Sequence, residues 1–399
     1  MFLTVGVFLL ILSILVFCHE FGHFLVAKKA GIKVEEFGFG LPPRIFAKKI
    51  GETFYSINLL PIGGFVKLAG EDMEDEGRRK GVERERMFWA KPKRVRLAVV
   101  IAGVLMNFLL SVVAFSFVYA NVGIPTKTSS VRVVGVLPNS PAEKAGFKEE
   151  DVLISVDGKD IKDTSEFIKI TNEFAGRSMV VEVFRKKDNP CVGDDLLKEK
   201  VLGAYPGVEI SCKDNNLLLK VVPRKDPPEG EGPLGVVISQ VEMRFYPLWK
   251  MIPLGIIEGF KEAFSWAKLV LKSLASMLFQ LFAFGVLPKD VAGPVGIFQI
   301  TGIVAKTGFL SVLQFLGILS VNLAVINILP LPALDGGRLL FILFESVFGR
   351  RPHVNFERWV HTAGMVFLLF LFLLVTINDI LRIFKNSPFF IQLKSFFTP

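Results

Sequence analysis

Two histidines separated by three residues stand near the end of the first apolar stretch, in the segment His19-Glu20-Phe21-Gly22-His23. On a helix, positions i and i+4 share one face, so the two imidazoles can converge on a single zinc ion. The glutamate between them can hold and deprotonate a water molecule beside the metal. Because the chain has only four histidines, chance is the weaker interpretation, and the spacing predicts a zinc site that activates water.

A zinc site of this kind needs a third protein ligand and an open fourth position. Asp335 is the natural candidate, because it lies in the run Asn327-Ile328-Leu329-Pro330-Leu331-Pro332-Ala333-Leu334-Asp335-Gly336-Gly337. The two prolines interrupt a helix, and broken helices at membrane depth occur where they line a cavity. Two alternatives stay open: Asp335 is a plain helix cap, or His361 is the third ligand. We expect His353 to be an interfacial loop residue.

The composition places part of the chain in lipid. The 399 residues are 51% hydrophobic, and a mean hydropathy of +0.49 is too high for a purely soluble protein. Four stretches with at most one titratable group approach or exceed the roughly 20 residues that cross a bilayer: Met1–Cys18, Leu97–Ala120, Thr307–Leu334 and Trp359–Asn378. The first lacks a basic start and a small-residue cleavage site, so we interpret it as a retained helix rather than a signal peptide.

Charge and cysteine content exclude other classes of protein. A net charge of +9 is modest, and no nucleic-acid partner is expected. Three cysteines exclude a scaffold built from disulfides.

The distribution of lysine and arginine predicts the orientation, since short cytoplasmic loops carry an excess of them. Basic residues are frequent between the first two stretches, and Arg350, Arg351 and Arg358 lie between the last two. Both segments are therefore expected in the cytoplasm, which places both termini and the long central segment outside it. The zinc motif then lies near the cytoplasmic face of the bilayer.

The central segment has the pattern of a small α+β domain, predicted over 128–240 with an insertion at 188–216. Ser140-Pro141-Ala142-Glu143 is a capping box, and extended runs alternate with a helix pattern. The predicted elements are strands Val131–Val134, Asp151–Val156, Lys159–Ile161, Met179–Phe184 and Leu217–Val222, and a helix Ser165–Gly176.

Two cysteines, Cys191 and Cys212, fall in this insertion, whereas Cys18 lies in the first span. Outside the cytoplasm a bridge between the two would be stable and would contribute roughly 3 kcal/mol by closing the loop. The alternative is a pair of free, partly buried thiols.

Two further segments have amphipathic patterns. In Lys33–Leu68, short strands at Thr53–Asn58 and Phe65–Leu68 predict a membrane-associated β-hairpin region whose edge accepts an extended peptide, with Gly63, Gly64 and Phe65 contacting it. The alternative is an ordinary cytoplasmic hairpin. Within 245–290, charged residues recur on one helical face, which favours an interfacial helix over a fifth span. No site is predicted in the charged segment 71–96.

Four motifs together carry a resemblance to a known family: His19-Glu20-Phe21-Gly22-His23, Gly38-Phe39-Gly40, Leu60-Pro61-Ile62-Gly63-Gly64-Phe65-Val66-Lys67 and the run from Asn327 to Gly337. The sequence resembles the site-2 protease family of intramembrane zinc metalloproteases over nearly its whole length. Within that family it is most similar to the bacterial regulator-of-sigma-E protease branch.

This resemblance implies a four-span core, formed here by 1–122 and 305–385, with zinc held by the matching positions His19, His23 and Asp335. It implies that Glu20 is the catalytic acid and base and that Asn327 contacts the substrate. One departure is Arg338, which stands where the family's best-known member has histidine.

The resemblance also implies that the central domain is a PDZ domain in circularly permuted strand order, with Leu234, Gly235 and Val236 in its peptide-binding loop. The best-known member carries two such domains, whereas one is predicted here.

The expected protein is therefore a polytopic α-helical membrane protein: a four-span metalloprotease core with a β-hairpin region and one extracytoplasmic PDZ domain. It would sit in the bacterial cytoplasmic membrane and use Zn²⁺ to cleave single-span membrane proteins, such as anti-sigma factors or signal-peptide remnants, after an upstream site-1-type protease. Two other classes are weaker: an ion transporter, for which paired repeats are missing, and an inactive PDZ scaffold, which Glu20 disfavours.

Overall fold

The computed structural model describes residues 1–71, 82–186, 189, 191, 210–213, 215–228, 230–285, 293–350 and 353–385. The chain divides into two compact units, one formed by Met1–Val122 with Pro247–Pro399 and the other by Gly123–Tyr246. Most of the predicted insertion 188–216 lies outside the described residues.

In the described part of the chain, four helices of the first unit are long and apolar enough to cross a membrane. They are α1 (Phe2–Lys29), α3 (Lys93–Val122), α8 (Phe309–Ile328) and α10 (Val354–Lys385). Each contains most of one predicted stretch, and α1, α3 and α10 run past its ends into charged residues because backbone hydrogen bonding continues where the apolar side chains stop. The third is shorter than predicted, since the chain leaves the helix at Leu329, before the prolines.

The remaining helices of the first unit are α2 (Val82–Glu85), α6 (Leu248–Phe284), α7 (Pro294–Thr307) and α9 (Asp335–Phe348), with a 3₁₀ turn at Phe88–Ala90. The helices α7 and α9 are not predicted from sequence, because each is too short to count as a membrane span. The helix predicted within 245–290 is α6. Its buried stripe includes Gly255 and Gly259, and a Cβ at Gly255 would meet the Ser116 carbonyl at 3.1 Å. Small residues thus let α6 pack closely on α3.

The centre of the helical unit is α3, which contacts α1, α6, α8 and α9. Val112 and Phe115 of α3 form an apolar cluster with residues of α6 and α8. Half of the apolar part of α3 is buried, against 17% for α1 and 6% for α10. The helix is therefore the scaffold on which the other helices are placed.

A long hairpin, β1 (Val34–Ile50) and β2 (Thr53–Leu68), follows α1. Residues 36–39 of β1 pair on one side with 64–67 and on the other with 54–57. Both predicted short strands lie within β2. The hairpin is fixed to the end of α1 by Glu52, which accepts hydrogen bonds from Arg86 at 2.7 Å and Lys28 at 3.0 Å. These two cations lower the pKa of the Glu52 carboxyl.

The second unit contains α4 (Pro141–Lys144) and α5 (Thr164–Glu173) beside a sheet. Among the described residues the sheet has seven strands in the order β7-β8-β6-β4-β3-β9, with β5 beside β4. The strands are β3 (Ile124–Val136), β4 (Val152–Val156), β5 (Lys159–Asp160), β6 (Met179–Phe184), β7 (Ile210–Lys213), β8 (Asn216–Val221) and β9 (Val236–Arg244).

The second unit is wider than the predicted 128–240. Its first and last strands, β3 and β9, pair as far as Ile124 and Arg244, so the domain begins and ends at this ribbon. One half of the predicted capping box is formed, because the Glu143 amide donates to Ser140 Oγ at 3.1 Å. The Glu143 carboxylate accepts the Asn139 amide instead of the Ser140 amide.

A disulfide joins Cys191 to Cys212, with the two Cα atoms 5.5 Å apart. Cys191 belongs to the apolar core of the second unit, and Cys212 lies in β7. Cys18 is a free thiol in α1. The bridge attaches the edge strand β7 to the core at the point where the loop rejoins the sheet.

An ion pair between two buried side chains fastens α9 to α3. Arg96 Nη2 lies 2.7 Å from Glu345 Oε2, and these side chains are 5% and 10% exposed. Lys93 adds a hydrogen bond of 2.9 Å to the Glu345 carbonyl. Since Asp335 is the first residue of α9, this pair fixes the helix that carries the third candidate ligand.

We predict that Arg96→Met lowers the free energy of unfolding by roughly 3–5 kcal/mol, because it removes the buried guanidinium that lies 2.7 Å from the Glu345 carboxylate. The double variant Arg96→Met/Glu345→Leu should recover most of that loss, since it removes both charges. Unfolding of the purified protein in mixed detergent measures both effects. A double variant no more stable than Arg96→Met would contradict the prediction.

Candidate metal centre

The two motif histidines lie one turn apart on α1 and face α3. Their Nε2 atoms are 3.3 Å from each other, and the rings meet edge to face with centroids 4.8 Å apart. His19 is 8% exposed. The i, i+4 spacing thus produces the convergence that it predicts.

The third side chain comes from the break between α8 and α9. After Ile328 the chain leaves the helix, turns through Pro330 and Pro332, and re-enters a helix at Asp335. Asp335 Oδ2 lies 3.1 Å from His19 Nε2 and 3.2 Å from His23 Nε2. In the described part of the chain, this trio is the cluster of His, Cys, Asp and Glu side chains that could hold a metal ion.

The geometry of the trio fits a zinc ion. Nitrogen and oxygen ligands about 2.0 to 2.2 Å from a tetrahedral zinc lie about 3.3 to 3.6 Å from one another. The observed separations of 3.1 to 3.3 Å approach that range. Asp335 Oδ2 is buried and makes no hydrogen bond to any described residue. A buried carboxylate oxygen of this kind needs a partner, and a metal ion would supply it.

The helix α3 holds the two imidazoles in place. His23 Nδ1 lies 2.8 Å from the Val99 carbonyl oxygen, which requires a proton on Nδ1 and leaves Nε2 free to bind metal. A Cβ at Gly103 would overlap the rings of both His23 and His19. Asn107, one turn further along α3, has its Nδ2 3.3 Å from His19 Nδ1.

A cavity of about 210 Å³ opens onto the cluster. It is lined by His19, Glu20, His23, Phe65, Val66, Leu68, Glu71, Phe88, Val99, Val100, Asp335 and Arg338. Arg338 forms an ion pair with Glu71, which also accepts the Leu68 amide at 3.2 Å. No site is predicted from sequence in 71–96, yet Glu71 and Phe88 form part of this wall.

Two predicted substrate-contacting regions lie beside the cluster. Asn327, in the last turn of α8, is 8% exposed, and its Nδ2 is 3.5 Å from His19 Nε2. In β2, a Cβ at Gly64 would meet Glu20 Cγ at 3.5 Å, and Phe65 lines the cavity. Gly63 precedes them with a φ of +100°.

His361 is engaged elsewhere. Its Nδ1 accepts a hydrogen bond of 3.0 Å from the Ala333 amide, and its ring packs on Phe341. The trio that could hold a metal does not include it. His353 directly precedes α10. Asp335 starts a helix without being its cap, since the N-cap position is Leu334.

The predicted peptide-loop residues belong to the second unit. Leu234 is buried in its core, and its carbonyl accepts the Ala142 amide at 3.0 Å. The Gly235 carbonyl accepts the Leu137 amide at 2.9 Å, and Val236 opens β9.

A trio that fits zinc lies inside an apolar helical unit, and the chain that carries it is similar to known proteins. The model of peptidase family M50 matches residues 7–371 of this chain. The chain belongs to peptidase family M50. The predicted membership of the site-2 protease family is confirmed by this match.

Bacterial relatives of this M50 chain agree with the match. The regulator of sigma-W protease RasP of Bacillus subtilis is 30% identical over an alignment of 456 positions, which covers 96% of this chain and 99% of the relative. The zinc metalloprotease RasP of Geobacillus kaustophilus is 30% identical, with 94% and 97% covered. A Fusobacterium nucleatum protein named as a candidate zinc metalloprotease is 32% identical, with 96% and 100% covered. The M50 chain is thus a zinc metalloprotease with membrane-spanning helices.

Val99, Gly103 and Asn107 also approach the two histidines, and none of them is predicted from sequence as part of the site. A backbone carbonyl such as that of Val99 carries no signal in the residue type. Asn107 does carry one, because a polar side chain within an apolar span is expensive and marks a functional position.

We predict that Asp335→Asn lowers the zinc content of the purified M50 chain, because a neutral amide is a poorer ligand than a carboxylate. His361→Ala should retain zinc. Metal analysis of the two proteins, purified in parallel, tests this. Full zinc content in Asp335→Asn together with zinc loss in His361→Ala would transfer the third ligand to His361.

Proposed function

We propose that this M50 member hydrolyses single-span membrane proteins within the bilayer, with zinc held by His19, His23 and Asp335. The observation that carries this proposal is the convergence of the three ligand atoms where α1 and the break between α8 and α9 meet α3. Because these helices are apolar, the substrate bond expected at this site is a peptide bond within a membrane-spanning segment.

The reaction needs an activated water and a proton for the leaving amine. When bound, zinc supplies a Lewis acid that polarises the scissile carbonyl and acidifies the attacking water. Glu20 lines the same cavity as the trio. Its carboxylate accepts the proton of the attacking water and then delivers it to the amine nitrogen of the product.

The substrate must be extended before its carbonyl can be attacked, because a helix hides its carbonyls in its own hydrogen bonds. The segment 64–67 of β2 pairs with β1 along one edge, and no pairing along its other edge is found among the described residues. An extended peptide can add to that edge beside Glu20. Asn327, whose Nδ2 lies 3.5 Å from His19 Nε2, is then close enough to the cluster to contact the substrate.

The distribution of lysine and arginine predicts that the second unit lies outside the cytoplasm and that the trio lies near the cytoplasmic face. The Cys191–Cys212 bridge supports this orientation, since disulfides persist in oxidising compartments. The protein then lies in a bacterial cytoplasmic membrane, with both termini on the extracytoplasmic side.

The second unit is proposed to be a PDZ domain that acts on substrate choice. It is inserted in the sequence between α3 and α6. Its strand β9, which begins at Val236, is at the edge of the described sheet, where an extended peptide could pair with it. We favour exclusion of bulky ectodomains, so that substrates such as anti-sigma factors or signal-peptide remnants are cut after an upstream protease has trimmed them. Capture of a new C-terminus at Leu234, Gly235 and Val236 is the competing role.

We predict that Glu20→Gln keeps zinc but loses proteolysis, because an amide cannot accept the proton of water. The assay incubates the detergent-solubilised protein with a single-span substrate, with and without a zinc chelator. Product formation should need both Glu20 and zinc. Equal turnover by Glu20→Gln and wild type would refute the assigned role of Glu20, and chelator-resistant cleavage would refute the metal mechanism.

We predict that removing the second unit allows untrimmed substrates to be cleaved. Lys127 pairs with Val241 in the β3–β9 ribbon, so an Asn-Gly turn can replace residues 128–240 and keep the ribbon closed. Exclusion predicts cleavage of substrates with intact ectodomains. The same deletion with Glu20→Gln is the matched inactive control. Loss of cleavage of trimmed substrates, with normal zinc content, would instead support capture.

A further inference from the structure

Asn107 is a fully buried polar residue of the apolar helix α3, and its amide faces His19. Nδ2 of Asn107 lies 3.3 Å from His19 Nδ1, and Asn107 is 0% exposed. Its Oδ1 is buried and has no hydrogen-bond partner among the described residues. A buried polar atom without a partner is costly and calls for an explanation.

The proton on His19 provides that explanation. Nε2 of His19 is the atom that approaches Asp335 and His23, so it must present its lone pair to a metal. A neutral imidazole then carries its proton on Nδ1, which becomes a donor. The Asn107 NH₂ group is also a donor, and two donors cannot form a hydrogen bond with each other.

Rotating the Asn107 amide by 180° resolves the conflict. The oxygen and nitrogen of an amide occupy nearly the same volume, so their assignment follows from the hydrogen-bond network. Either orientation leaves one amide atom without a partner, and the proton on His19 Nδ1 decides in favour of the one that presents Oδ1. In that orientation the unpaired oxygen becomes the acceptor that His19 needs.

The second histidine shows the same arrangement. His23 Nδ1 lies 2.8 Å from the Val99 carbonyl oxygen. Val99, Gly103 and Asn107 are spaced by four residues and share one face of α3, with Gly103 leaving room for both rings. This face of α3 therefore offers one acceptor to each histidine.

We propose that Asn107 is a positioning residue, whose Oδ1 accepts the Nδ1 proton of His19 and holds Nε2 toward the metal. The proposal rests on the ligand set assigned under the proposed function. Ser320 Oγ of α8 donates to the Asn107 carbonyl at 2.7 Å, which fixes the backbone from which the amide projects.

The test is the zinc affinity of the detergent-solubilised full-length protein, measured by competition with a chromogenic chelator. Asn107→Leu keeps the shape of the side chain but has no acceptor, and its affinity should fall about 10- to 100-fold. Asn107→Asp keeps both the shape and an acceptor, and should restore an affinity close to wild type. Ser111→Ala, one turn further along the same buried face, is the control and should bind zinc normally.

Wild-type affinity in Asn107→Leu would overturn the proposal, and so would an Asn107→Asp variant as weak as Asn107→Leu. If Asn107→Leu does not fold, Asn107→Ala replaces it with the same expectation. His19→Ala separates this inference from the ligand assignment. Zinc loss in His19→Ala with normal affinity in Asn107→Leu refutes only the role of Asn107, whereas undiminished zinc in His19→Ala refutes the ligand set.

Discussion

The structure depends on holding three candidate ligand atoms, from His19, His23 and Asp335, within 3.1 to 3.3 Å of one another. Two nitrogens and a carboxylate oxygen do not gather at that distance in an apolar interior without a reason, since each is costly to remove from water. Every element near the cluster limits how far one of these atoms can move. The helix α3 contributes most, because it contacts α1, α8 and α9.

Asp335, the third candidate ligand, is held by a break in the helix that has its own supports. Leaving the helix at Leu329 frees backbone groups that cannot stay unpaired in lipid. The Leu331 and Leu334 amides donate to carbonyls within the break, and the Ala333 amide donates to His361. His361 is therefore a support for the irregular segment. At its other end α9 is pinned by the pair between Arg96 and Glu345, so Asp335 is located from both directions.

Much of this arrangement could be predicted from sequence, and the failures have physical causes. Long apolar runs predict α1, α3, α8 and α10 because the hydrocarbon thickness sets their length. The i, i+4 spacing predicts how His19 and His23 converge, and the interrupted run points to Asp335. The short helices α7 and α9 are not predicted, since each has 14 residues and is too short for the length criterion of a membrane span.

Contacts made by backbone atoms could not be predicted from the sequence either. The role of the Val99 carbonyl follows only from the packing of α1 on α3. The double pairing of residues 36–39 depends on where β2 folds back, which the alternation of side chains does not reveal. The predicted second unit, 128–240, is too short because its outer limits are set by backbone pairing of β3 with β9, which residue types do not reveal.

That pairing has a consequence for how such proteins can diversify. The chain enters and leaves the second unit through neighbouring strands, with Ile124 opposite Arg244. The helices α3 and α6 are therefore joined to the same two paired strands, whatever residues follow further along those strands. A lineage can lengthen, duplicate or exchange the module beyond the ribbon without altering the spacing of α3 and α6. The sequence of the second unit can then change independently of the residues around the histidine and aspartate cluster.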